Sequence, residues 1–247
     1  MRLQRGMRSD TFGGLTVRLT GGRDREGGGE PGDPTVILLH GFGAPGEDLV
    51  PLWRVLDVPR ATRFVFPAAP IDLGRQFAGG RAWWRLDMER MQQIAMGSTV
   101  GDDEAHGREI PEGLVEARAQ VSALVDEVSD KMPGPLVLGG FSQGAMLACD
   151  VALRSPRPLA GLVLMSGTVL AVDEWRALAP SRKGLPVLLS HGERDPLLAF
   201  AAAQRLRKLL DEAGLVVDWV PFPGGHEIPQ SVLDGVGRLV TRVAASR

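Results

Sequence analysis

Six short runs of nearly uninterrupted apolar, β-prone residues punctuate this chain: TVILL (35–39), RFVFP (63–67), LVLGG (136–140), LAGLVLM (159–165), PVLLS (186–190) and VVDWV (216–220). A strand with one wet face alternates apolar and polar residues. Runs without that alternation suit strands buried on both faces, as in a parallel sheet sandwiched between helices. The intervening segments can supply those helices. In 112–131, Leu114, Val115, Val121, Leu124, Val125 and Val128 recur at helical spacing, and 143–154, 197–213 and 228–245 read as further helices. The alternation predicts an α/β fold with a mostly parallel central sheet and helices on both faces.

Two stretches break the rhythm. Residues 1–34 are rich in glycine and charge, and GGRDREGGGEPGDP reads as a loop or tail; the expectation is a flexible N-terminal stretch with one possible strand, LTVRL at 15–19. Residues 35–247 then form a single domain, in which 68–111 is an insertion lacking any clear strand. That insertion carries Trp83, Trp84, Met88, Met91 and Met96, which either line an apolar pocket or pack the segment onto the core.

Bulk properties narrow the function. A net charge of −2 gives no electrostatic case for nucleic acid or an anionic membrane. No apolar run is long enough for a membrane-spanning helix, and MRLQRGMRSD lacks the apolar core of a signal peptide, so a reduced, cytoplasmic setting is expected. The lone cysteine, Cys149, excludes an intrachain disulfide and reads as a small buried side chain within a helix.

The chemistry centres on Gly140-Phe141-Ser142-Gln143-Gly144, a G-x-S-x-G pattern that closes one of the buried strands and opens a helix. A serine on such a turn has strained backbone angles, and its neighbours two residues away must be small. Read blandly, Ser142 is a turn serine or helix cap. Read chemically, it is a nucleophile, which needs a base to take its proton. In serine hydrolases built on this turn, the acid and then the base follow the serine along the chain. His226, in the glycine-rich PGGHEIP loop, is the candidate base; His191, at the end of PVLLS, precedes the acid and reads as structural, and His106 lies in a polar loop and reads as solvated. The candidate acid is Asp195 in SHGERDPLL, with Glu193 the alternative. Asp195 followed by Pro196 also fits a helix N-cap, a role compatible with the chemical one. Asp150, Asp173 and Asp218 read as surface salt links or solvated groups. The oxyanion donors are expected from the backbone N–H groups of Gln143 and of Phe42, in LLHGFGAPGEDL, with His40 holding that loop in shape. No H-x-x-x-H or clustered ligand set argues for a metal hydrolase.

Taken together, LLHGFG, GFSQGA, HGERDPL and GGHEIP, in that order, resemble the α/β-hydrolase phospholipase/carboxylesterase family, which includes acyl-protein thioesterases. The resemblance runs from about residue 35 to the C-terminus. It implies a hydrolase acting on a small-molecule ester or thioester, without metal or organic cofactor, and a site of Ser142, Asp195 and His226 with Phe42 and Gln143 as oxyanion donors. It also makes AWWRLD the border of the acyl site, with Trp83, Trp84 and Met88 as pocket candidates. The family often reads DPLVP after the acid where this chain has DPLLAF, a change beside the acyl pocket. The expected activity is a serine carboxylesterase for short to medium acyl chains. The alternatives are an acyl-protein thioesterase or lysophospholipase and, more remotely, a non-catalytic binding protein on the same fold.

Overall fold

The computed structural model describes residues 6–86 and 110–246. Its centre is an eight-stranded sheet made of β1 (Arg8–Phe12), β2 (Leu15–Gly21), β3 (Thr35–Leu39), β4 (Arg63–Pro67), β7 (Leu136–Phe141), β8 (Gly161–Met165), β9 (Pro186–Gly192) and β10 (Val216–Phe222). The spatial order is β1-β2-β4-β3-β7-β8-β9-β10, with β4 to β10 mutually parallel and β1 and β2 antiparallel at one edge. Two two-residue strands, β5 (Ile71–Asp72) and β6 (Arg81–Ala82), form a separate ribbon within the expected insertion.

The uninterrupted apolar runs are explained by burial on both faces. In β3, Ile37 and Leu39 point into one hydrophobic cluster, while Val36 and Leu38 point into the other. The first cluster is covered by α2 (Leu114–Lys131), α3 (Gln143–Arg154), α4 (Val172–Leu178) and α5 (Phe200–Glu212), counting α1 as the short helix Leu52–Val55. The second is closed by α6 (Gln230–Ala245), through Val232, Val236, Leu239, Val240 and Val243. VVDWV departs from the pattern: β10 is an edge strand, and Val216 and Asp218 are exposed.

The expected flexible N-terminal stretch is corrected for residues 8–21, which form two strands of the main sheet rather than one loose strand. In β2, Leu15, Val17 and Leu19 are buried while Thr16 is exposed, the alternation of a strand with one covered face. The glycine-rich segment that follows is tied down by its own polar groups. Arg23 donates to both oxygens of Asp33 at 2.8 and 3.0 Å, and Asp24 Oδ1 accepts the N–H groups of Glu26 and Gly28. The hydrogen bond from Arg23 holds the Asp33 carboxyl down at about 2.

A second correction concerns Asp150, expected at the surface. Its side chain is fully buried on α3, where it meets Arg118 of α2, Arg154 at 3.2 Å and the indole N–H of Trp175 of α4 at 2.8 Å. Asp173, in contrast, is an exposed partner of Arg176. Cys149 is buried, and burial pushes its thiol well above its ordinary value.

Strand register positions the loops. Leu39 pairs with Gly140, Phe141 with Met165, Met165 with Ser190, and Phe222 with Gly192. The loops after β3, β7, β8, β9 and β10 therefore leave the sheet side by side at its carboxyl edge, where α/β proteins carry their sites.

Candidate active site

Ser142 joins β7 to α3 with φ 55° and ψ −119°, a conformation unfavourable for any residue with a Cβ. The surroundings hold it there. Its N–H donates to Met165 C=O at 2.8 Å, and its own C=O accepts the N–H groups of Ala145 and Met146 at 3.0 and 3.2 Å. The flanking glycines are needed for space: a Cβ on Gly144 would fall on the Leu39 and His40 carbonyl oxygens, and one on Gly140 on the Gly144 carbonyl. The close packing of α3 on β3 thus requires the small residues of the pattern.

The Asp195 and His226 loops meet at the neighbouring strand ends. Gly192 is what lets them do so, because a Cβ there would collide with the carbonyl oxygens of Gly224 and Gly225. His226 Nδ1 donates to Asp195 Oδ2 at 2.6 Å, and the His226 ring lies 4.7 Å from the ring of Phe141, the residue before Ser142. With Nδ1 carrying the proton for that bond, Nε2 is left with a lone pair. The Asp195 side chain has no exposure, and its Oδ1 accepts the N–H groups of Leu197 and Leu198 at 2.8 and 3.0 Å. Burial alone would raise its pKa; the hydrogen bonds from His226, Leu198 and Leu197 outweigh it and hold the carboxyl below its ordinary value. The expected N-cap role is corrected here. Helix α5 starts only at Phe200, with Ala199 as its cap, so Asp195 closes a turn rather than opening a helix.

The loop after β3 presses against the serine turn: a Cβ on Gly41 would lie 3.3 Å from Ser142 Cβ. His40 is buried beneath it. Its Nε2 accepts the Ala69 N–H at 2.9 Å, so Nδ1 carries the proton and donates to Gly41 C=O at 2.8 Å. Burial lowers the pKa of His40 and keeps the ring neutral. Gly43 N–H is taken by Arg81 C=O at 2.9 Å, whereas Phe42 N–H meets no backbone acceptor among the described residues. Gln143 opens α3, where the first N–H groups have no acceptor within the helix.

Trp83 and Trp84 are core residues, each 1% exposed, and neither offers an open wall. The Trp83 ring leans on His40 with centroids 5.4 Å apart, and its Nε1–H donates to His40 C=O at 2.9 Å. Met88, Met91, Met96 and His106 lie outside the described residues. Among the described residues no three His, Cys, Asp or Glu side chains gather as a metal site.

The strained serine turn, the part-buried Asp195–His226 pair and the glycine loop stand together at one sheet edge, and sequence comparison identifies the family. Residues 26–241 match the family described as Phospholipase/Carboxylesterase. The chain belongs to that family. Its relatives are named carboxylesterases and thioesterases, and this chain is a carboxylic ester hydrolase. Among its relatives is Acyl-protein thioesterase 1 of Neurospora crassa, 28% identical over 217 residues, which cover 84% of this chain and 85% of that protein. Solved structures similar to it include esterase PE8, with a TM-score of 0.73 and 26% identity over 91% of this chain and 97% of that one. SOBER1 of Arabidopsis thaliana, titled a carboxylesterase, matches with a TM-score of 0.66 and 26% identity over 85% and 98%.

One role at this family site was missed in the sequence. The buried Gln143 side chain accepts the Trp83 N–H at 3.0 Å and donates to Trp84 C=O at 2.9 Å. It clamps the Trp83–Trp84 backbone to the serine turn. The sequence signal was present, a glutamine beside the serine, but its partners are backbone groups some sixty residues upstream.

Proposed function

We propose that this chain is a serine carboxylesterase in which Ser142 is the nucleophile, His226 the base and Asp195 the acid. The observation that carries this reading is the 2.6 Å bond from His226 Nδ1 to the inaccessible side chain of Asp195, with the His226 ring tilted against Phe141 beside the serine turn. His226 Nε2 takes the Ser142 proton as Oγ attacks the acyl carbonyl, and Asp195 fixes the tautomer and steadies the imidazolium. The N–H groups of Phe42 and Gln143 bind the oxyanion. His226 then passes the proton to the departing oxygen or sulfur, leaving an acyl-Ser142. Water, deprotonated by His226, attacks that ester, and the acid leaves as Ser142 recovers its proton.

The proposed substrates are esters of short to medium acyl chains. Thioesters are the second reading, because the same steps expel a thiol and several relatives are named acyl-protein thioesterases. The test is labelling of the full chain with a fluorophosphonate, followed by activity across acyl lengths on paired oxygen esters and thioesters. Wild type should label, and Ser142→Ala should not, with kcat falling roughly 10⁴-fold or more. A folded wild type that resists labelling overturns the triad; preference for long acyl chains overturns the substrate range; preference for thioesters decides for the second reading.

A further inference from the structure

Asp195 touches two histidines, and the proposed reaction uses only one. His191, near the end of β9, is fully buried, with Nε2 2.9 Å from Leu198 C=O and 3.4 Å from Asp195 Oδ2. A carbonyl oxygen only accepts, so Nε2 carries the hydrogen and the neutral ring has its lone pair at Nδ1. That Nδ1 is buried without a partner among the described residues, and an unmet acceptor is tolerated more readily than an unmet N–H. The Phe200 ring lies 6.3 Å from the imidazole and leans in turn on Trp219.

We propose that His191 is a positioning residue: its Nε2–H bonds Leu198 C=O and faces Asp195 Oδ2 at 3.4 Å, so that the acid stands between one reacting and one fixed histidine. Without it, Oδ1 is held by two backbone N–H groups, but among the described residues Oδ2 is held only by His226, the ring that in the proposed reaction gains and loses a proton in each half-reaction. The His191 bond ties the Asp195 turn back to β9 and keeps the carboxylate from following His226. The same N–H dipole, 3.4 Å away, steadies the negative charge on Oδ2 and leaves less of it facing His226. Among the described residues the titratable groups facing His191 are Asp195 and His226, and burial lowers its pKa.

This inference rests on the triad reading, and its test separates the two. Nitrogen-15 NMR of the labelled wild-type chain reads the His191 tautomer directly, whether or not Ser142 reacts with a fluorophosphonate. The Nε2–H form is expected, and an Nδ1–H form overturns the proposal. In His191→Phe, kcat should fall roughly ten-fold, about the worth of one hydrogen bond. KM should hold, and the acidic limb of kcat/KM should move to higher pH. His191→Gln, which restores an N–H near the same place, should recover much of both. Wild-type kcat and pH profile in a folded His191→Phe overturns the proposal, as does an equal loss in both variants with the limb unmoved. If His191→Phe does not fold, the tautomer and the His191→Gln profile decide.

Discussion

Two aspartates in this molecule keep opposite kinds of company. The side chains of Asp150 and Asp195 are both fully inaccessible. Asp150 faces two arginines and an indole N–H; Asp195 faces a histidine and two backbone N–H groups, with a second histidine at longer range. Arginine stays protonated throughout the working pH range, so Asp150 sits in a fixed charge balance that ties α2, α3 and α4 together. In the proposed reaction His226 takes up and returns a proton, so the charge beside Asp195 changes during a turnover. Burial alone therefore does not separate a structural carboxylate from a chemical one. The titratability of its partner does.

That contrast can be broken by substituting each aspartate with its amide. Asp195→Asn should cost about 10⁴ in kcat, the effect of losing the carboxylate that orients a catalytic histidine. Its melting temperature should change little, because the amide oxygen can still accept from Leu197 and Leu198. Asp150→Asn should do the reverse. It leaves Arg118 and Arg154 beside a neutral amide, and breaking such a buried pair costs about 3 kcal/mol, or roughly 10 °C in Tm for a chain of this size. Its kcat/KM, measured well below Tm, should match wild type. The comparison fails if Asp150→Asn loses activity while folded, or if Asp195→Asn melts as early as Asp150→Asn.

The difference between these residues also marks what was legible in the sequence. The pairing of Asp195 with His226 was readable because chain order placed both: Asp195 on a loop after a buried strand, downstream of G-x-S-x-G and upstream of PGGHEIP. Five of the six strands were readable because two-sided burial leaves an uninterrupted apolar run; the sixth, VVDWV, lies at the sheet edge. Asp150 was not readable, since its partners Arg118 and Trp175 lie 32 and 25 residues away and reach it only once the helices pack. The N-terminal strands were half readable. In β2, Leu15, Val17 and Leu19 alternate, but RSDTF in β1 is an edge strand exposed along most of its length and carries no apolar pattern. The Asp195–Pro196 pair misled because an aspartate accepting N–H groups two and three residues on looks locally the same at a turn and at a helix cap. Trp83 and Trp84 were open between pocket and core because composition does not say which way an indole faces.

A smaller effect sharpens the same contrast through pH. His40 and His191, both at the carboxyl edge, are held by burial below their ordinary value of 6.5. A group with a lower pKa in the folded state binds fewer protons folded than unfolded between the two values. Its contribution to stability is therefore complete above 6.5 and is lost as pH falls toward the folded value. The lowered Asp195 adds a loss of the same sign at still lower pH. Melting scans between about pH 8 and pH 5 should show Tm falling on the acid side, where histidines take up protons. In His40→Gln the fall should be shallower, because one of the two histidines no longer titrates. In Asp150→Asn the whole curve should drop while keeping its shape, since the arginines around residue 150 do not change charge over this range. If the Asp150→Asn curve instead flattens toward acid pH, partner titratability no longer distinguishes the two aspartates.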